Sequence, residues 1–286
     1  MPSRVTCVVV TYNRKDDLKR CLQALCRQKY PISEIIVVDN ASTDATASFL
    51  TGEAQGYPIP ISHLRLRENA GGAGGFHAGT KAAFESGCDF AWLMDDDGHP
   101  ENTETLAHMM DAADSLSIEN DLLFLNALVT SDGKDLSFGL ADGIKTASQA
   151  LNAAKNGLLV DAANPFNGTL VSAALIKRIG FPDGRFFIKG DETDYLTRAR
   201  RAGAIVATVC SARFRHPAMP SQAKSILGCM RKVNVEPAWK WYYRMRNYTY
   251  MAKRDRGFLH AASTGTHHLV NGILGNEGGG SHCLSS

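Results

Sequence analysis

Asp95, Asp96 and Asp97 follow one another directly behind the apolar run FAWLM at 90–94. Like charges at the end of a buried strand repel, and a buried carboxylate is costly unless a positive charge offsets it. Carboxylates converging at a strand end suit a hard divalent cation, Mg²⁺ or Mn²⁺, which takes oxygen ligands and bridges phosphate oxygens. Alternate side chains of a strand share a face, so Asp95 and Asp97 are expected on one side and Asp96 on the other. A solvated acidic loop is the plain alternative. A second acidic group, GDETDY at 190–195, opens a predicted helix. Asp191 and Glu192 read there either as acids favoured by the helix dipole or as a general base for an acceptor hydroxyl. His216, in RFRHPAMP, reads as structural by itself. It becomes a third ligand for Mn²⁺ only beside a carboxylate site.

The elements that must position these groups alternate. VTCVVV (5–10), EIIVVD (34–39), the weaker SHLRL (62–66), FAWLM (90–94), 121–129 and AIVATV (204–209) read as strands, the first two buried on both faces. Between them, Leu18, Cys21, Leu22, Leu25 and Cys26 mark one face of a helix over 14–29. Further helices are expected near 44–52, capped by Ser42 or Thr43, and over 102–116, 191–202 and 237–255, the last aromatic and basic. GGAGGF (71–76) reads as a glycine-rich loop opening a helix, and RFFIKGDETDYLTRARRAG as a short strand and a turn before the helix from about 191. Regularity fades between 130 and 165. Strand and helix in turn predict an α/β fold, a mostly parallel sheet with helices on both faces. Ligands of such sheets bind at the carboxyl ends of the strands. Four ends supply polar groups to one edge: Thr11, Asn13 and Arg14; Asp39 and Asn40; Glu68 and Asn69 with the glycines; and the aspartates. The glycine run has no Lys-Ser/Thr after it and does not follow the first strand, so it is neither a Walker sequence nor a dinucleotide fingerprint.

The 286 residues are 44% hydrophobic and 21% charged with a net charge of +2, an ordinary globular balance that gives no reason to expect a nucleic-acid partner. Seven cysteines without metal-like spacing point to reduced thiols and a cytoplasmic protein. No apolar stretch reaches membrane-spanning length, and the N-terminal run is too short for a signal peptide.

The motifs VVVTYNRKDDLKRCLQAL, IIVVDNASTD, ENAGGAGGF, LMDDD and GDETDY, in this order, resemble the family 2 inverting glycosyltransferases of the GT-A fold. NAGGAGGFHAG followed by WLMDDD, with WYYRMRN at 241–247, is most similar to the galactofuranosyltransferase branch, with rhamnosyltransferases close behind. The resemblance covers residues 4 to about 216. It implies a GT-A catalytic domain over 1–220, with a Rossmann-like nucleotide-binding half at 1–98 and an acceptor half at 99–220. A C-terminal helical segment (221–275) and a disordered tail (276–286) are expected after it. By matching position, Thr11, Arg14, Asp39 and Asp96 would hold uridine diphosphate, and Asn69, Gly71 and Gly72 would line the donor site. Asp95 and Asp97 would bind Mn²⁺ or Mg²⁺ as the family's D-x-D motif, joined by His216. Glu192 would be the general base, with Asp191 beside it. Gly190 and Glu192 stand where galactofuranosyltransferases often carry Trp and Asp, which leaves the acceptor open.

The expected activity is metal-dependent, inverting transfer of galactofuranose from UDP-galactofuranose to a hydroxyl of a glycan or lipid-linked glycan in cell-surface polysaccharide synthesis. The chain's length favours adding one or a few sugars. A rhamnosyltransferase using dTDP-rhamnose is the alternative within the class. A nucleotidyltransferase needs a glycine-rich basic loop after strand one, where this chain has TYNRKDD. A non-catalytic nucleotide-sugar-binding protein has no need of an acid pair and a downstream histidine. The helix over 239–256 reads equally as a contact with the inner membrane face and as a helix packed on the core.

Overall fold

The computed structural model describes residues 2–140, 143–218, 221–226, 229–234 and 237–276. The chain divides into two compact units, Met1–Phe187 with Asp191–Ala218, and Ile188–Gly190 with the residues from Met219 on. The tail expected over 276–286 lies, beyond Asn276, outside the described residues.

In the first unit the elements run β1 (Val5–Thr11), α1 (Lys15–Leu25), β2 (Ile32–Asp39), α2 (Thr46–Thr51), β3 (Ile61–Arg65), α3 (Gly71–Glu85), β4 (Phe90–Asp95) and β5 (His99–Pro100). They continue as α4 (Thr105–Ser117), β6 (Leu123–Thr130), α5 (Ala147–Ala153), β7 (Leu158–Val160), β8 (Asn167–Ser172), α6 (Ala173–Ile179), α7 (Asp191–Arg201) and β9 (Ile205–Arg215). Among the described residues they form one mixed sheet of order β3-β2-β1-β4-β8-β6-β9-β5, with β7 also on β9. The expected parallel sheet holds from β3 to β4 and again between β6 and β9. β8 runs antiparallel between β4 and β6.

β1 shows why the first strands read as unbroken apolar runs. Val5, Cys7 and Val9 face one core with Leu18, Leu22 and Leu25 of α1 and Met109 and Met110 of α4. Val8 and Val10 face the other, with Phe76 of α3, Leu175 of α6 and Tyr195 of α7. Both faces are covered, so neither needs polar residues.

Several expectations change. The glycine run is not a loop but the first turns of α3. A Cβ on Gly75 would lie 2.4 Å from Val10 Cγ1, and one on Gly79 2.3 Å from Val8 Cγ1. Those glycines let a helix press directly on β1. Where RFFIKG read as a short strand and a turn, the chain makes a 3₁₀ turn, Gly184–Phe186. Phe187 follows it with φ 64° and ψ −65°, the rarer and strained sign of γ-turn. Neither Ser42 nor Thr43 caps α2; Asp44 accepts from the Thr46 amide at 3.0 Å. The irregular stretch contains α5, opened by a capping box of Thr146 and Gln149. The strand β8 and helix α6 lay outside the alternation read from the sequence.

In the second unit β10 (Ser221–Ile226) pairs antiparallel with β11 (Cys229–Asn234), and α8 (Ala238–Arg256) and α9 (Phe258–Asn276) follow. Among the described residues no helix is long and apolar enough to cross a membrane.

Candidate active site

Parallel register puts the carboxyl ends of β3, β2, β1 and β4 side by side: Thr11 pairs with Asp39, Asp39 with Arg65, and Val10 with Asp95. Thr11, Asp39 and Asp95 therefore lie along one edge. Thr11 is buried and donates from its hydroxyl to Asp96 Oδ2 at 2.7 Å. Arg14 Nη1 reaches Asp96 Oδ1 at 3.2 Å and Asp97 Oδ2 at 2.7 Å. Asp96 and Asp97 therefore share one guanidinium instead of facing opposite sides. The reason is local. β4 stops at Asp95, and a turn with Gly98 N bonded to Asp95 O at 3.3 Å ends the period-two alternation. Gly98 also lets β9 close over this turn, since a Cβ there would meet Phe214 Cε1 at 2.6 Å and His216 Cδ2 at 3.4 Å.

His216 closes the site from the far side of the sheet, with Nε2 3.2 Å from Asp97 Oδ1. Its Nδ1 lies 2.7 Å from the Pro217 carbonyl, which fixes the proton there and leaves Nε2 to serve as donor or ligand. Burial alone would raise Asp97 and lower His216. Their mutual contact outweighs it, aided at Asp97 by Arg14, so Asp97 is held below and His216 above the ordinary value. Asp95 has no such relief. Burial first, then the charges of Asp97 and Asp96, push it up to about 8. Asp96 goes to about 6, with burial winning over Thr11 and Arg14.

The residues suit a divalent cation in type. Asp97 Oδ1 is buried and accepts no well-directed hydrogen bond, the His216 contact being an ion pair off the donor direction. A hard oxygen and an imidazole nitrogen thus converge on one point, and such ions are commonly held by one or two protein groups plus substrate phosphates. The expected trio is not assembled: among the described residues no three His, Cys, Asp or Glu side chains form a metal-holding group. Asp97 and His216 meet, while Asp95 acts on them through charge.

Asp39 is fully buried. It accepts from the Ser42 amide at 2.7 Å and from Arg65 Nη1 at 3.1 Å, with His63 Nε2 at 3.3 Å. His63 and Arg65 went unremarked in the sequence, although their i, i+2 spacing on β3 put two polar side chains on one face. Asn40 accepts from the Ala70 amide at 3.3 Å and donates to Gly71 O at 3.2 Å, and Asn69 accepts from Gly71 N at 2.9 Å. Together they fix the start of α3. The Cβ position of Gly71, at φ +70°, is occupied by Phe187 O at 2.0 Å, whereas that of Gly72 is open.

Asp191 and Glu192 open α7, whose Asp194 pairs with Arg198 at 2.8 Å. Arg198 in turn donates to Ile179 O at 2.6 Å and Phe181 O at 2.9 Å, so the helix is tied to the loop before it. Asp191 is buried, and burial first, then the Glu192 charge and a hydrogen bond with it, raise it well above the ordinary carboxyl range. Burial thus favours the protonated form of Asp191, beside the more exposed Glu192.

Residues 6–118 match the profile described as Glycosyl transferase family 2. The chain is 34% identical over 258 residues to galactofuranosyltransferase GlfT1 of Mycobacterium tuberculosis (strain H37Rv), covering 88% of this chain and 83% of that protein. The chain belongs to glycosyltransferase family 2. Its fold is that of GT-A glycosyltransferases. Mannosyltransferase PcManGT from Pyrobaculum calidifontis, solved with GDP-Man and Mn²⁺, superposes with a TM-score of 0.63 at 18% identity, over 99% of this chain and 77% of that one. S. aureus TarS 1–349 with UDP gives 0.57 at 16% identity, over 93% and 70%. The family 2 enzyme described here is a glycosyltransferase with galactofuranosyltransferase relatives.

Proposed function

We propose that this glycosyltransferase moves galactofuranose from UDP-galactofuranose to a hydroxyl of a glycan or lipid-linked glycan, with inversion and with a divalent cation. The observation that carries the reading is the meeting of Arg14, Asp96, Asp97 and His216 at the carboxyl ends of the parallel strands. They meet in a chain that is 34% identical over 258 residues to a protein named for galactofuranosyl transfer.

In this reading Asp39, with Arg65 and His63 beside it, receives the uridine, and Gly72, with open space over it, lines the donor. Asp97 and His216, with Asp95 near them, would hold Mn²⁺ or Mg²⁺. When bound, that cation supplies positive charge for the departing diphosphate. Arg14 lies where it can add its own. Glu192 takes the proton of the acceptor hydroxyl, whose oxygen attacks the anomeric carbon. The bond to UDP breaks as the new one forms, and its electron pair leaves on the β-phosphate. A single displacement of this kind inverts the carbon. Asp191, whose burial favours its protonated form, hydrogen-bonds Glu192 and orients it.

A membrane-held acceptor fits the second unit, where Trp239, Tyr242, Tyr250, Phe258 and Leu259 are exposed among lysines and arginines. The test is mass spectrometry of UDP-galactofuranose and dTDP-rhamnose, each incubated with acceptor glycans. Transfer from dTDP-rhamnose alone would refute the donor. Glu192→Gln is expected to keep UDP binding and to lower kcat roughly 10²–10⁴-fold. If Asp191→Asn is the inactive variant and Glu192→Gln turns over normally, the two roles are exchanged.

A further inference from the structure

The segment WYYRMRN at 241–247 has no part in the chemistry above. It lies on α8, in the unit that also contains Ile188–Gly190. Within that unit Asn247 is 3% exposed, a burial that an amide tolerates only when its polar atoms are satisfied. Its Nδ2 donates to Ile188 O at 3.0 Å and to Lys189 O at 2.6 Å. Its Oδ1 accepts from Arg246 Nε at 2.8 Å, and the Arg246 guanidinium lies over the Tyr243 ring, 4.9 Å from its centre. With the oxygen taken by a guanidinium, only the NH₂ side can face the two carbonyls, so the orientation is fixed.

What is held is unusual backbone. Lys189 has φ 65° and Gly190 φ 94°. A non-glycine residue reaches that region only against steric cost, and persists there when its surroundings over-determine it. Gly190 has little room for a side chain: a Cβ would lie 3.1 Å from Met251 Cε and 3.4 Å from Asn247 Cβ. The next residue along the chain is Asp191.

We propose that Asn247, braced by Arg246 and Tyr243, is a positioning residue that holds the carbonyls of Ile188 and Lys189 and so the left-handed bend at Lys189–Gly190 from which the chain presents Asp191 and Glu192. The proposal rests on the reading of Glu192 as the base. It gives the RN of the aromatic motif a function: Arg246 sets the amide, and the amide sets the bend. Misplacing a reacting group by about 1 Å can cost on the order of 100-fold in rate, while the donor site has no direct stake in this amide.

Asn247→Leu keeps the bulk and removes both donations; Asn247→Asp keeps the outline and removes them too. In folded protein each is expected to lower kcat for sugar transfer on the order of 10- to 100-fold and to leave the UDP dissociation constant, read by calorimetry, within about twofold. Lys189→Gly reaches positive φ without steric cost. Placed in the Asn247→Leu background it should recover several-fold of the lost kcat, a rescue that a purely structural role for the amide would not give. A folded Asn247→Leu with wild-type kcat overturns the proposal. So does an equal loss in kcat and UDP affinity, absence of rescue, or failure of both Asn247 variants to fold. Glu192→Gln separates the two readings. If it turns over normally, the base assignment has failed and takes this proposal with it; if it is inactive while Asn247→Leu is normal, the positioning role alone falls.

Discussion

Asp95→Asn should flatten the dependence of stability on pH. The carboxyl of Asp95 goes from about 3.9 in an unfolded chain to about 8 in the folded one. Between those values the folded state binds the proton that the unfolded state has lost, so stability falls as pH rises. At 1.36 kcal/mol per pH unit the ceiling is about 6 kcal/mol. The side chain is only partly buried, so solvent screening should bring the observed loss to about 2 kcal/mol. Asp96, at about 6, acts in the same sense over the lower part of the range. His216, raised by Asp97, stabilises fully below its unfolded value and loses that contribution as pH climbs through its folded one. Asp97, held low, gives stability that is lost only in acid, below the range of interest. Asp95, Asp96 and His216 therefore all pull the same way as pH rises. Thermal unfolding followed by circular dichroism should show the wild-type Tm falling across that range. Asp95→Asn should lie closer to wild type at pH 5.5 than at pH 8, where it should exceed it by about 5 °C, since 1 kcal/mol moves a domain of this size by roughly 2–4 °C. UDP with Mn²⁺ should raise the wild-type Tm more at pH 8 than at pH 5.5. A wild-type Tm that is flat or rises with pH, or an Asp95→Asn curve parallel to wild type, would refute the electrostatic account of the strand end.

Asp97→Ala should abolish transfer, and EDTA should do the same to wild type with recovery on adding Mn²⁺; full turnover of the chelated enzyme sinks the cation. Asp39→Ala should weaken UDP binding in calorimetry and lower Tm, because Arg65, His63 and the Ser42 amide lose a buried acceptor; an unchanged dissociation constant would leave Asp39 a purely structural residue. Gly75→Ala should cost about 1–3 kcal/mol by overpacking against Val10. Gly72→Ala should spare stability and weaken the donor, and the reverse pattern would contradict the packing account of the glycine run.

The first half of the fold was legible because its strands are buried on both faces and its helices on one, a difference written in the local period of apolar residues. The family was legible for a related reason. The strand-end groups Thr11, Asp39 and Asp95–Asp97 fall in short motifs, each beside the strand that carries it. Less could be read where a residue's meaning is set by a distant partner. Glycine marks both a loop and a close approach, and which one holds at Gly75 depends on Val10 across the sheet. The alternation expected of the aspartates failed because nothing in DDDG states that β4 ends at its first residue. The pairing of Asp97 with His216 depends on β9 lying parallel to β6 and on Gly98 leaving room for Phe214, and neither is local to either residue. The opening puzzle of three adjacent carboxylates thereby divides. Thr11 and Arg14, for which the family resemblance implies a nucleotide-binding role, hold Asp96. Arg14 and His216 hold Asp97. The carboxyl still without a counter-charge in contact is Asp95, the one residue of the three that remains in the strand. Under the proposed function, a bound cation would supply the counter-charge that Asp95 lacks and would favour loss of its proton.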